Sequence, residues 1–105
     1  MERVFLCNYT EFGAMDKPSM RDFFEERPYQ GKKKIVAFLQ TQGQVGAVAA
    51  GRAMDCFTGE RIPGELSIRT YDRFSWCSDL SYYVEKYNLR LPREFEEMVL
   101  HQNRE

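Results

Sequence analysis

The fold is decided by residues 65–87, which read ELSIRTYDRFSWCSDLSYYVEKY. Residues 65–71 alternate between the two faces of an extended chain, which predicts a half-buried strand. Asp72 and Arg73 are turn residues, and residues 74–76 then predict a returning strand. The segment therefore predicts a β-hairpin.

A helix is predicted directly after this hairpin. Ser78 is a favoured N-cap residue, and Asp79 places a carboxylate in the first turn, where the helix dipole favours negative charge. The apolar residues that follow recur at i, i+3, i+4 and i+7, as expected for one helical face. They are Leu80, Tyr83, Val84 and Tyr87. Asn88 is predicted to end the helix.

The segments before the hairpin are less uniform. Residues 4–9 predict either a short strand or part of an N-terminal arm that covers residues 1–16. Pro18 favours the start of a helix that extends to Glu26. Residues 31–42 have both strand propensity and a helical period, and we favour a helix because Gly43 stands where a C-cap glycine would.

Two strands, a loop and a final helix complete the pattern. Residues 45–49 predict a strand, residues 51–64 a long loop, and Pro92 the start of a last helix. The chain is therefore interpreted as one α+β domain over residues 1–105. It has a small antiparallel sheet of three to four strands covered by three to four short helices. Residues 102–105 are expected to fray.

The composition indicates a folded, water-soluble chain. Hydrophobic residues make up 43% and charged residues 30%, and the net charge is −1. This balance lacks the basic surplus of proteins that bind mainly the phosphate backbone. There is no apolar run long enough for a secretory leader or a membrane span. Three widely spaced cysteines do not form a disulfide framework, so a reducing cytoplasm is the expected location.

The residues with catalytic or metal-binding potential do not form a familiar motif. Cys7, Cys56, Cys77 and His101 include no closely spaced ligand pair of the kind that zinc sites use. The glycines form neither a phosphate-binding loop nor a dinucleotide fingerprint. We therefore predict no catalytic residue, metal or cofactor.

Surface recognition remains the favoured function, with the loop of residues 55–64 at its centre. Long ordered loops on a rigid scaffold often bind partners, and aromatic residues often act as anchors. A purely structural role is the alternative, with Phe57 and Ile62 fixing the loop to the sheet and Trp76 in the core. The candidate partner-binding residues are Asp55, Thr58, Glu60, Arg61, Tyr71, Asp72, Trp76 and Tyr82.

Two motifs, FTGERIPGE at residues 57–65 and YYVEKYNLRLPREF at residues 82–95, resemble accessory proteins of plasmids and integrative elements of Gram-positive gut bacteria. The resemblance covers roughly residues 20–100. Some neighbours of such proteins counter host defence, among them anti-CRISPR proteins that bind an effector nuclease. The resemblance implies a non-enzymatic inhibitor or adaptor with a protein partner, and it carries no catalytic residues. Asp72-Arg73 stands in place of the usual Asp-Gly turn.

Two other functions are kept as alternatives. The first is a small enzyme or ligand-binding domain that uses Asp72, Cys77 and Asp79, because a helix start can activate a thiol. The second is nucleic-acid binding through Lys32, Lys33 and Lys34, although such a run is more often a solvated face.

Overall fold

The computed structural model describes residues 3–7, 9–12, 16–49, 54–62 and 66–102. Two short 3-10 helices, Thr10–Phe12 and Met20–Phe23, lie in its N-terminal part. The strands and α-helices of the described residues are β1 (Val4–Phe5), α1 (Lys32–Thr41), β2 (Gln44–Ala49), β3 (Leu66–Tyr71), β4 (Phe74–Cys77), α2 (Leu80–Tyr87) and α3 (Arg93–Gln102).

The strands form one four-stranded sheet in the order β1-β4-β3-β2. β2, β3 and β4 are antiparallel neighbours, whereas β1 runs parallel to β4. The predicted α+β class is confirmed, but the sheet is mixed and not purely antiparallel. The reason is that residues 4–5 hydrogen-bond to the outer side of β4, a long-range pairing that local sequence does not encode.

The predicted hairpin is formed by β3 and β4. Tyr71 pairs with Phe74, so only Asp72 and Arg73 lie in the turn. Asp72 has a φ of 55°, a left-handed conformation that aspartate tolerates better than most side chains. The turn therefore forms without a glycine.

The ambiguous segment before β2 is a helix, as we favoured. α1 ends at Thr41, and Gly43 follows with a φ of 86°. A Cβ at Gly43 would lie 3.0 Å from the carbonyl oxygen of Thr70 and 3.4 Å from the Trp76 ring. Glycine is therefore needed both for the backbone conformation and for the close approach to the sheet.

The core lies between the helices and one face of the sheet. Phe95 of α3 makes edge-on contacts with Phe38 of α1 and with the rings of Phe74 and Trp76. The side chain of Trp76 is fully buried, and its indole N–H donates to the carbonyl oxygen of Leu39 over 3.0 Å. Large aromatic side chains with satisfied polar atoms stabilise such a core strongly.

Two local predictions were wrong in detail. The helix expected over residues 18–26 is reduced to the 3-10 turn Met20–Phe23, which Ser19 caps through the backbone N–H of Arg21. α2 begins at Leu80 with Asp79 as N-cap, and no side-chain cap bond is formed. Ser78 accepts a hydrogen bond from the backbone N–H of Ser67 instead. Fraying was expected over residues 102–105: Gln102 is the last residue of α3, and residues 103–105 lie outside the described residues.

Candidate functional site

Residues 54–62, here called the anchored loop, form a tight reversal of the chain. Met54 and Arg61 pair as an antiparallel bridge. The backbone N–H of Asp55 donates to the carbonyl oxygen of Glu60 over 2.8 Å, and that of Gly59 donates to the carbonyl oxygen of Asp55 over 2.7 Å. These bonds satisfy the backbone of the loop internally.

The Asp55 carboxylate holds this reversal from inside. Its Oδ1 accepts the backbone N–H groups of Phe57, over 2.8 Å, and of Thr58, over 3.2 Å. This is the usual way in which an aspartate stabilises a turn two to three residues on. Asp55 is only 1% exposed, so these bonds are shielded from water.

The other oxygen of Asp55 joins the loop to α2. Oδ2 accepts the hydroxyls of Tyr82, over 2.8 Å, and Tyr87, over 2.6 Å, and the ammonium group of Lys86 over 3.4 Å. Residues four apart lie on one side of a helix, so Tyr82 and Lys86 point the same way. Lys86 also donates to Glu60 over 2.9 Å, which ties both ends of the reversal to the helix.

The electrostatics of this cluster favour the ionised carboxylate. Burial alone would raise the pKa of Asp55, but hydrogen bonds from Tyr87, Phe57, Tyr82 and Lys86 outweigh it and hold the pKa far below its usual range. Burial, together with the hydrogen bond to Asp55, raises the pKa of Tyr87 to about 12. A carboxylate so fully hydrogen-bonded is a weak base. Asp55 therefore acts as an anchor for the loop.

An aromatic cluster packs against the Phe57 side chain of the loop. Phe57 is half-buried and packs edge-on against the rings of Phe24, Tyr83 and Tyr87. The Arg21 guanidinium lies over the opposite part of the Phe57 ring, 4.8 Å from its centroid. The structural role that the sequence suggested for Phe57 is thus observed.

The outer side of the anchored loop faces solvent. Met54 is 60% exposed, an unusual state for a large apolar side chain. Its exposed neighbours on the loop are Cys56, Thr58, Glu60 and Arg61.

The predicted partner-binding residues fall into two groups. Asp55, Thr58, Glu60 and Arg61 belong to the anchored loop, and the Tyr82 hydroxyl of α2 donates to the buried Asp55. The rest lie elsewhere. Tyr71 packs against Phe38, Asp72 is exposed in the hairpin turn and Trp76 is in the core.

Trp76 was therefore wrongly chosen as a surface anchor, since its whole side chain is needed between sheet and helices. Conversely, the sequence interpretation missed Lys86, Tyr87 and Met54. The sequence did contain one signal for this site. On α2, two pairs of residues are four positions apart and so lie on the same helix side, where they can donate to a carboxylate: Tyr82 with Lys86, and Tyr83 with Tyr87.

The alternative enzyme site is only partly assembled. Asp72 and Cys77 lie at opposite ends of β4, whereas Cys77 and Asp79 are neighbours at one end. An open groove of about 430 Å³ lies beside β1, and the residues that line it include Phe5, Phe23 and Arg90 but none of these three.

The three consecutive lysines, Lys32 to Lys34, have different environments. The Lys32 ammonium group donates over 2.8 Å to the carbonyl oxygen of Glu85 and over 2.8 Å to the side-chain oxygen of Asn88, which joins α1 to α2. Lys33 and Lys34 are exposed, whereas Lys32 is partly buried. The three lysines therefore do not form one continuous basic patch.

Within the described ranges, no group of three or more His, Cys, Asp or Glu side chains is placed to hold a metal ion. None of the helices in this part of the chain has the length and apolar character needed to cross a membrane.

Comparison with known proteins identifies no relative. No protein-family model matches the chain, and neither a curated protein nor a solved structure is significantly similar to it.

Proposed function

We propose that this protein is a non-enzymatic protein-binding module whose contact surface is the outer side of the anchored loop. The observation that carries the proposal is the buried Asp55 carboxylate, which accepts hydrogen bonds from two loop amides and three α2 side chains. A simple connector between β2 and β3 does not need such an anchor.

The anchor matters for binding because it fixes the loop before a partner arrives. A flexible loop loses conformational entropy on binding, and about 0.5–1.5 kcal/mol is lost for each side chain that becomes fixed. Here Phe57 and Asp55 already hold the loop backbone in place. A preorganised loop therefore keeps more of its contact energy as affinity.

The chemistry of the exposed residues fits a protein surface. Met54 supplies an adaptable apolar side chain, and Arg61 lies directly across the bridge from it. Methionine and arginine are both enriched at protein interfaces. The Lys86 and Glu60 pair at the edge adds charged groups of both signs, which suits a polar rim.

The test compares two matched double variants in a quantitative capture experiment from bacterial lysate. Met54→Thr with Arg61→Glu changes the anchored loop. Val48→Thr with Arg27→Glu is the control, because Val48 on β2 is 61% exposed and Arg27 is exposed. Both variants make the same charge change at solvent-facing positions, so both should keep the melting temperature of the wild type.

A specific partner should be retained by the wild type and the control, and its recovery should fall at least about tenfold with the loop variant. Isothermal titration with the purified partner then gives the affinities. Equal recovery with both variants would contradict the loop as the contact surface.

The class of partner is proposed from the sequence motifs described above. Their resemblance to accessory proteins of mobile genetic elements suggests an anti-defence inhibitor that binds a host nuclease complex. Adding the purified protein to a reconstituted effector nuclease and measuring DNA cleavage tests this. Inhibition by the wild type and by the Val48 and Arg27 control, but not by the loop variant, is the expected result.

A further inference from the structure

Cys7 and Cys77 lie side by side where β1 meets β4. Val4 pairs with Phe74 and Phe5 with Ser75 in the parallel ladder, and Cys7 lies two residues after the end of β1, beside Cys77, the last residue of β4. The backbone N–H of Cys77 donates to Sγ of Cys7 over 3.2 Å, and neither cysteine is in a disulfide. A side-chain hydrogen bond also joins the two thiols, so their sulfur atoms are close neighbours, as the formation of a disulfide requires.

The two thiols differ in accessibility. Cys7 is 1% exposed, whereas Cys77 is only partly buried. A hydrogen bond from Cys7 lowers the pKa of Cys77, while burial raises the pKa of Cys7 well above its usual value. Because the thiolate is the attacking species, Cys77 is the better nucleophile of the pair.

We propose that Cys77 and Cys7 form a redox-active dithiol that exchanges with low-molecular-weight disulfides such as oxidised glutathione. The Cys77 thiolate attacks one sulfur of the disulfide, forms a mixed disulfide and releases one thiolate. Cys7 then loses its proton to solvent and attacks Sγ of Cys77, which releases the second thiolate. The protein is oxidised by two electrons to a Cys7–Cys77 disulfide, and one disulfide is reduced to two thiols.

This activity is separate from the proposed binding function. Cys56, the third cysteine, lies exposed on the anchored loop and offers an internal comparison. Burial of its sulfur, the largest influence on this group, raises the pKa of Cys56. Cys56 therefore serves as an exposed thiol outside the pair that reports how readily a single cysteine is modified under the same conditions.

The experiment mixes fully reduced protein with oxidised glutathione at pH 7.5 and follows the products by intact mass and peptide mapping. The expected product has lost two hydrogens, carries a Cys7–Cys77 cross-link and holds no glutathione on either residue. A stable glutathione adduct on wild-type Cys77, or recovery of both residues as free thiols under conditions that modify Cys56, would overturn the proposal.

Three variants assign the steps. Cys7→Ala should trap glutathione on Cys77, because the second thiol is missing. Cys77→Ser should leave Cys7 unmodified, because Cys7 is buried. Cys56→Ser should form the cross-link at the wild-type rate. Glutathione on Cys7 in the Cys77→Ser variant would show that the assigned order of attack is wrong.

A thermal measurement tests the cross-link without assigning which thiol attacks first. A cross-link between residues 7 and 77 closes a long loop and restricts the unfolded chain. The melting temperature of oxidised Cys56→Ser protein should exceed that of its reduced form by at least about 5 °C. An unchanged or lower melting temperature would mean that the cross-link strains the sheet, which contradicts the side-by-side placement of the thiols.

Discussion

Two buried aspartates in this protein have opposite environments. Asp55 is 1% exposed and Asp79 is 9% exposed, so both are largely removed from water. Five donors contact the carboxylate of Asp55. Oδ1 of Asp79 has no hydrogen-bond partner among the described residues.

Their pKa values respond accordingly. Burial raises the pKa of Asp79. Burial also acts to raise the pKa of Asp55, but hydrogen bonds from Tyr87 and other donors have the larger, opposite effect and lower it. Burial disfavours a charged carboxylate, whereas hydrogen bonds to the charged form favour it. The comparison shows that the donors supplied by the fold, and not depth alone, decide whether a buried carboxylate stabilises the protein.

The largest expected effect comes from removing the well-satisfied carboxylate. Asp55→Ala should lower the free energy of unfolding by about 3 kcal/mol, because two loop amides and three side chains lose a buried, charged acceptor. Urea denaturation measures the change.

Glu60→Ala is the matched control on the same loop, since the Glu60 side chain is 67% exposed. Its effect should be much smaller than that of Asp55→Ala, because solvent screens exposed charge pairs. Equal costs for the two substitutions would show that the Asp55 hydrogen bonds do not hold the loop.

Local patterns were sufficient to predict most of the fold. The alternation in β3, the helical stripe of α2 and the glycine after α1 each depend on near neighbours, and all three elements were placed correctly. The parallel pairing of β1 with β4 was not foreseen, because it joins residues about seventy positions apart.

The candidate site was predictable only in part for the same reason. The turn residues of the loop were conspicuous in the sequence. Nothing in the residues next to Asp55, however, indicates that Tyr82, Lys86 and Tyr87 donate hydrogen bonds to its carboxylate. Likewise, aromatic residues are common both in cores and at interfaces, so the residue type alone could not predict whether Trp76 is buried or exposed.

The second prediction concerns acid. The folded pKa of Asp55 lies below the unfolded value of about 4, so its stabilisation is present above that pH and is lost as the pH falls further. The stability difference between wild type and Asp55→Asn should shrink by on the order of 2 kcal/mol between about pH 5 and pH 2. Urea denaturation of both proteins across this range measures it, and a constant difference would contradict the depressed pKa.

A third prediction isolates one donor of the Asp55 cluster. Tyr87→Phe removes the 2.6 Å hydrogen bond to Oδ2 and should cost about 1.5 kcal/mol, because the acceptor is charged. In an Asp55→Ala background the same substitution should cost less than about 0.5 kcal/mol. A double-mutant cycle by denaturation gives the coupling energy. Additive costs would show that the Tyr87 hydroxyl does not act through the Asp55 carboxylate.

The smallest effect is expected at Asp79, and its sign should be the reverse. Asp79→Asn removes a buried charge with an unpartnered oxygen, and asparagine is as good an N-cap residue as aspartate. Because the folded pKa of Asp79 is raised, the stability linked to its proton is present at low pH and is lost as the pH rises through that value. Asp79→Asn should therefore match the wild type near pH 3 and exceed it by up to about 1 kcal/mol at pH 7. Denaturation at the two pH values measures the gain. A loss of stability at pH 7 would show that the Asp79 carboxylate has a favourable role in its ionised form, and the contrast with Asp55 would then be one of degree only.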